Sequence, residues 1–298
     1  RASIQGEDWV RSVDVDPATG RVLVGTFGYG QNLFCFSREG RLLWKQFLPE
    51  HHVYYARWYD RAKDDGAARR VVAATARGYF VFLLDGETGE VRKKFSSTEW
   101  PNYHAGSQEF REGARSTRAP IRLNPALRQI LVRGKTQLLA VTYEGEPMWK
   151  RDRADAVTAY ATVAEQTGAA SFSQSIVLGD LAVSPNGSRL VHGEYRITGS
   201  TAHGEKIFNT WGHRPMILDA RTGEVLARNA ANVGEGTRPR GWSVRWPEGS
   251  EQPLVVREGL AAPLGMDGSL GEFRPARSLS LEDGGYLVRT YDSLERRY

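Results

Sequence analysis

A single cysteine, Cys35, in 298 residues leaves no partner for an intrachain disulfide and no Cys-x-x-Cys zinc or redox pair. No apolar run reaches the ~18 residues that a membrane-spanning helix needs, and no signal-peptide pattern opens the chain. Membrane insertion is therefore not expected. Sustained heptads and a Gly-X-Y period are both missing, although glycine numbers 32, which excludes coiled coil and collagen. Charge of one sign is also scarce. Forty Lys and Arg stand against 35 Asp and Glu, net +5, and the two signs are interspersed. A nucleic-acid module carries a dense basic stripe, so nucleic acid is not an expected partner. The chain has no Gly-x-Ser-x-Gly, no His-Glu-x-x-His and no acidic run with calcium-loop spacing. Gly28-Tyr29-Gly30 lacks the following helix that a phosphate loop requires. Methionine numbers three and the first is Met148, so Arg1 is not a translational start. The reading expects a piece of something longer.

What the chain has in quantity is a repeat. Apolar strands joined by glycine-centred turns recur as LFCF-SREG-RLLWKQF, FVFLLD-GETGE-VRKKF, LLAVT-YEGE-PMWKRD, PMILD-ARTGE-VLARN and APLGMD-GS-LGEFRPA. A second hairpin precedes each, as in VRSVDVD-PATG-RVLVGTF and LAVS-PNGS-RLVHGEYR. Alternating apolar residues around Pro, Asn, Asp and Gly turns read as hairpins. The two units together give four strands, A to D, repeating at roughly 45–60 residues, the signature of a β-propeller. The expected fold is all-β: one propeller domain of four-stranded antiparallel blades at about 9–48, 53–97, 119–152, 175–230 and 241–276. A partial sixth blade follows at 278–298. A propeller must hide its sheet edges, so the parent is expected to have six to eight blades.

Leu83-Leu84-Asp85-Gly86-Glu87-Thr88-Gly89-Glu90-Val91 and Ile217-Leu218-Asp219-Ala220-Arg221-Thr222-Gly223-Glu224-Val225 resemble the C–D turn of PQQ-like propeller repeats. That pattern commonly ends in Trp. Trp44 and Trp149 stand near that position, but in blades whose own turns are of the Glu-Gly type. The resemblance implies a superfamily ranging from quinone-dependent dehydrogenases to outer-membrane assembly scaffolds and polysaccharide lyases, and a periplasmic or secreted location. The dehydrogenases use a ring of adjacent cysteines, a stacking Trp and a carboxylate-bound calcium. Cys35 alone cannot form that ring, so no cofactor is expected.

Propeller topology sends the B–C and D–A connections to one face. That face collects His51, His52, His104, His203 and His213, whereas His192 falls on a B strand and reads as a core or edge histidine. Bases stand near the ends of B strands: Arg77, Arg133 with Lys135, Arg196, Arg257 and Arg289. Arg115, Arg118, Arg238 and Arg240 stand on neighbouring loops. Arginine binds carboxylate or sulfate in a bidentate way, although at strand ends it also pairs with the acids of the next blade. The longest connections are expected on the same face: 98–118, a short amphipathic helix and Ser-rich loop over 153–174, and a B–C loop over 197–212 with Lys206, Phe208 and Trp211. Long ordered loops in compact domains carry function.

Two readings follow. The first is a non-catalytic module that binds an anionic glycan or a protein partner through Arg77, Lys135, Arg196, His203, Trp211, His213, Arg240 and Arg257. The alternative is a lyase on an acidic glycan. There His51, Tyr54, Tyr103 and His104 supply a base and Arg118 neutralises the carboxylate beside the proton removed. A three-histidine metal site from His51, His104 and His203 is conceivable by residue type, but no spacing unites it, and no metal is expected.

Overall fold

The structure, a computed structural model, describes residues 9–27, 30–49, 53–59, 70–75, 81–95, 121–133, 137–152, 170–176, 181–202, 205–229, 242–247, 249–257 and 260–275. Its strands form five antiparallel sheets. The first holds β1 (Trp9–Val15), β2 (Val22–Phe27), β3 (Leu33–Phe36) and β4 (Leu42–Gln46), hydrogen-bonded in that order. The second repeats it with β5 (Val53–Tyr59), β6 (Arg70–Thr75), β7 (Val81–Asp85) and β8 (Val91–Phe95). The third holds β9 (Ile121–Asn124), β10 (Gln129–Arg133), β11 (Gln137–Thr142) and β12 (Pro147–Asp152). These sheets are β-propeller blades, as the repeats predict. The expected sixth hairpin lies outside the described residues.

Two blades depart from expectation. The fourth has five strands: β13 (Ala170–Ile176), β14 (Leu181–Val183), β15 (Arg189–Ala202), β16 (Glu205–Asp219) and β17 (Val225–Arg228). The connection read as a loop over 197–212 is instead a ladder, because β15 and β16 pair from Arg189–Asp219 out to Ala202–Glu205. Its Thr, Ile, Phe and Trp residues suit an extended chain. The Ser-rich stretch read as loop is β13, which pairs with the outer half of β15, while β14 pairs with the inner half. The helix expected before it lies outside the described residues. In the fifth blade, β18 (Trp242–Arg245), β19 (Leu254–Arg257) and β20 (Leu260–Pro263) are regular, but the outermost strand shrinks to β21 (Arg274–Pro275). Gly271 and Pro275, which fall within the stretch expected to form that strand, fit the loss, since neither residue type favours a ladder.

The chain divides into two compact units. One comprises residues 1–106, 119–132 and 141–147. Within it, Leu23, Cys35 and Trp44 are successive cross-strand neighbours on the first sheet, so they share a face. That face packs on Ala56, Trp58, Val71, Ala73, Phe82 and Leu84 of the second sheet, with Val91 beside them. Side-chain hydrogen bonds lock the two first strands together. The Ala56 amide donates to Ser12 Oγ at 3.0 Å, and the Trp58 amide donates to Asp14 Oδ2 at 2.9 Å.

The outermost strands make a further repeated joint. Trp44 Nε1 donates to the Gly86 carbonyl at 3.0 Å, and its ring covers Gly89, where an added Cβ would lie 2.5 Å from it. Gly145 meets the stem of Lys93 and the ring of Phe95 in the same way, and the Lys93 ammonium pairs with Glu146 at 2.9 Å. The second unit comprises 107–118, 133–140 and 148–298. There Trp149 Nε1 donates to the Ala220 carbonyl at 2.9 Å and its ring covers Gly223. Gly268 meets the Arg228 backbone, and Asn229 Nδ2 donates to its carbonyl at 3.0 Å. Each of these glycines has φ between +74 and +86, the left-handed region that a Cβ disfavours.

Candidate functional site

Of the residues selected from the sequence, His51, Tyr103, His104, Arg118, Arg77, Lys135, His203 and Arg240 lie outside the described residues. Tyr54 sits in β5 at a register skip between Val53 and Tyr55, a bulge of the kind that often borders sites. Arg196, Trp211 and His213 are brought together by backbone pairing. Arg196 is paired with Gly212, Ile197 with Trp211 and Tyr195 with His213. The second strand of this blade therefore does not end near Arg196, as the sequence reading had it; it runs on to Ala202. Ser175 and Ile176 of β13 pair with Arg196 and Tyr195 from the other side, so these positions occupy a three-stranded ribbon. Arg257 ends β19, paired with Trp242 on one side and Leu260 on the other, and is half-buried. His192 is buried on β15, as its strand position suggested.

Arginines do join neighbouring sheets, at the starts of second strands. Arg21, just before β2, meets Glu87 in the next sheet's outer turn at 2.7 Å. Arg70 opens β6 and meets Glu144 at 3.0 Å, where Arg128 joins at 3.3 Å. Burial pushes the Glu144 carboxyl up, but the Arg70 and Arg128 hydrogen bonds outweigh it and hold it below the ordinary value.

Sequence reasoning missed another set of bases, on the first strands. Arg57 stands opposite Val72 and Arg122 opposite Leu131. Both are the same ladder step in from the hairpin, which closes at Tyr59–Arg70 and Asn124–Gln129. Arg57 Nη1 donates to the Val13 carbonyl at 2.8 Å, approaches Asp14 at 3.7 Å and lies 5.3 Å from the Tyr55 ring centre. Burial pushes the Tyr55 phenol up, against the opposing pull of Arg57 and Arg122. In the other unit the exposed Arg245 ends β18 opposite Leu254. A visible signal was available: Arg57-Trp58 and Arg245-Trp246 repeat one dipeptide on first strands. Among the described residues no helix is long and apolar enough to cross a membrane.

No family model matches the chain, and no curated protein matches it. Solved structures do. BamB from Moraxella catarrhalis is 18% identical, with 91% of this chain and 78% of that one covered at a TM-score of 0.46. The Pan2 WD40 domain of Neurospora crassa is 14% identical, with 85% and 60% covered at 0.44. The Dos1 propeller is 12% identical, with 89% and 69% covered at 0.41. By its own five antiparallel sheets the chain has a β-propeller fold, in which two turns carry the Thr-Gly-Glu sequence that resembles PQQ-like repeats.

Proposed function

We propose that the chain is a non-catalytic binding module that holds an anionic glycan or a protein partner at the ribbon that carries Arg196, Trp211 and His213, in the periplasm or outside the cell. The observation that carries this reading is the ribbon of β13, β15 and β16. Its ladder continues past the pairing with β14, which ends at Leu181–His192, and it sets the positions of Trp211 and His213 on the rungs either side of the one that holds Arg196. Preorganised backbone lowers the ordering cost of binding, and Trp and Arg are the residue types that dominate contact energies.

Titration with heparin and polygalacturonate at low and moderate salt tests the glycan arm. Saturable, salt-sensitive binding is expected, reduced at least tenfold by Trp211→Ala combined with Arg196→Ala. Binding indifferent to both substitutions would overturn the assignment to the ribbon. Ultraviolet absorbance from unsaturated uronate product would overturn the non-catalytic reading.

A further inference from the structure

Ion pairing is close at the starts of the second strands and loose on the first strands. Arg21 and Arg70 each meet a carboxylate directly, Glu87 at 2.7 Å and Glu144 at 3.0 Å. The first hairpin closes at Asp16–Arg21, as the next two close at Tyr59–Arg70 and Asn124–Gln129. Two residues inside those ends stand Asp14 opposite Leu23, Arg57 opposite Val72 and Arg122 opposite Leu131. Two guanidiniums thus share one ladder step with a single carboxylate, and all three residues belong to the same compact unit.

That carboxylate is a weak partner for Arg57. Asp14 Oδ2 accepts from the Trp58 amide at 2.9 Å, while Oδ1 stays 3.7 Å from Arg57 Nη1. The same Nη1 donates to two backbone carbonyls, Val13 at 2.8 Å and Ala56 at 3.3 Å. Carbonyls satisfy its N–H groups without neutralising the guanidinium, and Nε and Nη2 are left for the Tyr55 phenol and for a ligand. The Arg57 side chain is 39% exposed. Tyr55 stands on the same face of β5, two residues before it, and is buried. Burial pushes the phenol up, against the pull of both Arg57 and Arg122. It is therefore a protonated donor at neutral pH, in one neighbourhood with the two guanidiniums.

We propose that Arg57 and Arg122, together with the Tyr55 phenol, bind a carboxylate group brought by a small acid. Guanidinium and carboxylate are planar and match in a bidentate pair, which the distant Asp14 does not make. Asp14 is the internal competitor: its charge lowers the attraction for an incoming anion without satisfying Arg57. The group can come from a simple free acid or from a sugar acid, and the two are told apart by affinity. The site lies on β5 and β9, not on the ribbon, and does not depend on the reading above.

The probes are acetate and galacturonate, added to the 298-residue chain at constant ionic strength and followed through the arginine Nε–Hε signals in NMR spectra. Each signal is assigned by its loss in the corresponding Lys variant. Saturable shifts of the Arg57 and Arg122 signals are expected. Tighter binding of galacturonate than of acetate identifies a sugar acid, and equal or weaker binding identifies a simple free acid. Arg57→Lys, read at Arg122, and Arg122→Lys, read at Arg57, are each expected to weaken binding by about fivefold or more, because lysine cannot pair in a bidentate way. Asp14→Asn keeps an acceptor for the Trp58 amide but removes the competing charge, and is expected to tighten binding by about threefold or more. A purely structural role for Asp14 predicts no such gain. Circular dichroism checks that each variant keeps its fold, and Asp14→Asn decides the matter if a Lys variant does not. Absence of saturable shifts, affinity indifferent to both Lys variants, or an Asp14→Asn chain that binds no tighter would overturn the proposal.

Discussion

The indole of Trp44 occupies the space in which a side chain on Gly89 would begin. A Cβ there would lie 2.5 Å from Cε3 and 2.7 Å from Cδ2, in a turn where φ is +76. Two separable costs follow for Gly89→Ala: about 1–2 kcal/mol for the left-handed backbone and about 1–3 kcal/mol for overpacking. Gly40→Ala meets the first cost and not the second, since its surroundings are open. Urea unfolding is expected to rank Gly89→Ala below Gly40→Ala by about 1–3 kcal/mol. Equal losses would mean that the ring does not rest on the turn.

Because that overlap has one cause, removing the cause should remove the cost. Trp44→Ala empties a buried site and is expected to lose about 3–5 kcal/mol. Trp44→Phe keeps a ring but forfeits the bond to the Gly86 carbonyl, a loss of about 1 kcal/mol for that bond alone. In Trp44→Ala, adding Gly89→Ala is expected to cost less than it does alone, by about 1 kcal/mol or more. A double-mutant cycle reads the coupling directly, and strict additivity would refute it.

This joint also explains a pattern that is visible in the sequence. Trp44 and Trp149 stand in blades whose own turns lack Thr-Gly-Glu. Each serves the following blade instead: Trp44 covers Gly89 of Thr88-Gly89-Glu90, and Trp149 covers Gly223 of Thr222-Gly223-Glu224. Strand and turn were legible because alternation and turn glycines are local signals. The partner of each turn was not, because it lies on a neighbouring sheet and leaves no local periodicity. The β15–β16 ribbon was lost for a related reason. Polar residues with Gly199 and Gly212 read as loop, and only the pairing of β15 with β16 and β13 makes them strand. The ion pairs at strand starts followed from residue types, but their geometry did not. Arg21 and Glu87 are far apart in sequence and meet only across a sheet boundary.

Asp85 makes acid sensitivity a test of turn construction. Burial pushes its carboxyl up, yet the Thr88 and Glu87 amides and the Arg92 guanidinium outweigh burial and hold it below the ordinary value of 3.8. A depressed carboxyl contributes stability above its unfolded pKa and loses it as pH falls through the folded value. Asp85→Asn keeps an acceptor for the amides but loses the charge on Arg92. It is expected to cost about 1 kcal/mol at neutral pH. The gap to wild type should close as pH falls below 3.8, and a gap constant down to that range would show that the ionised form is not what the turn holds.

Cys35 reports whether the first two sheets stay closed. It lies between Leu23 and Trp44 across the ladder and is buried. Burial pushes its thiol up to about 12, with Arg21 opposing, so the reactive thiolate is scarce in the folded chain. Reaction with a disulfide reagent at pH 8 is expected to be at least roughly a thousandfold slower than in urea, given stabilities of about 5 kcal/mol or more. If labelling passes through global opening, Trp44→Ala should accelerate it by the factor its stability loss dictates, because exchange then tracks the population of the open form. A smaller acceleration would place the opening between the two sheets alone, and fast labelling of the wild-type chain would contradict the packed interface itself.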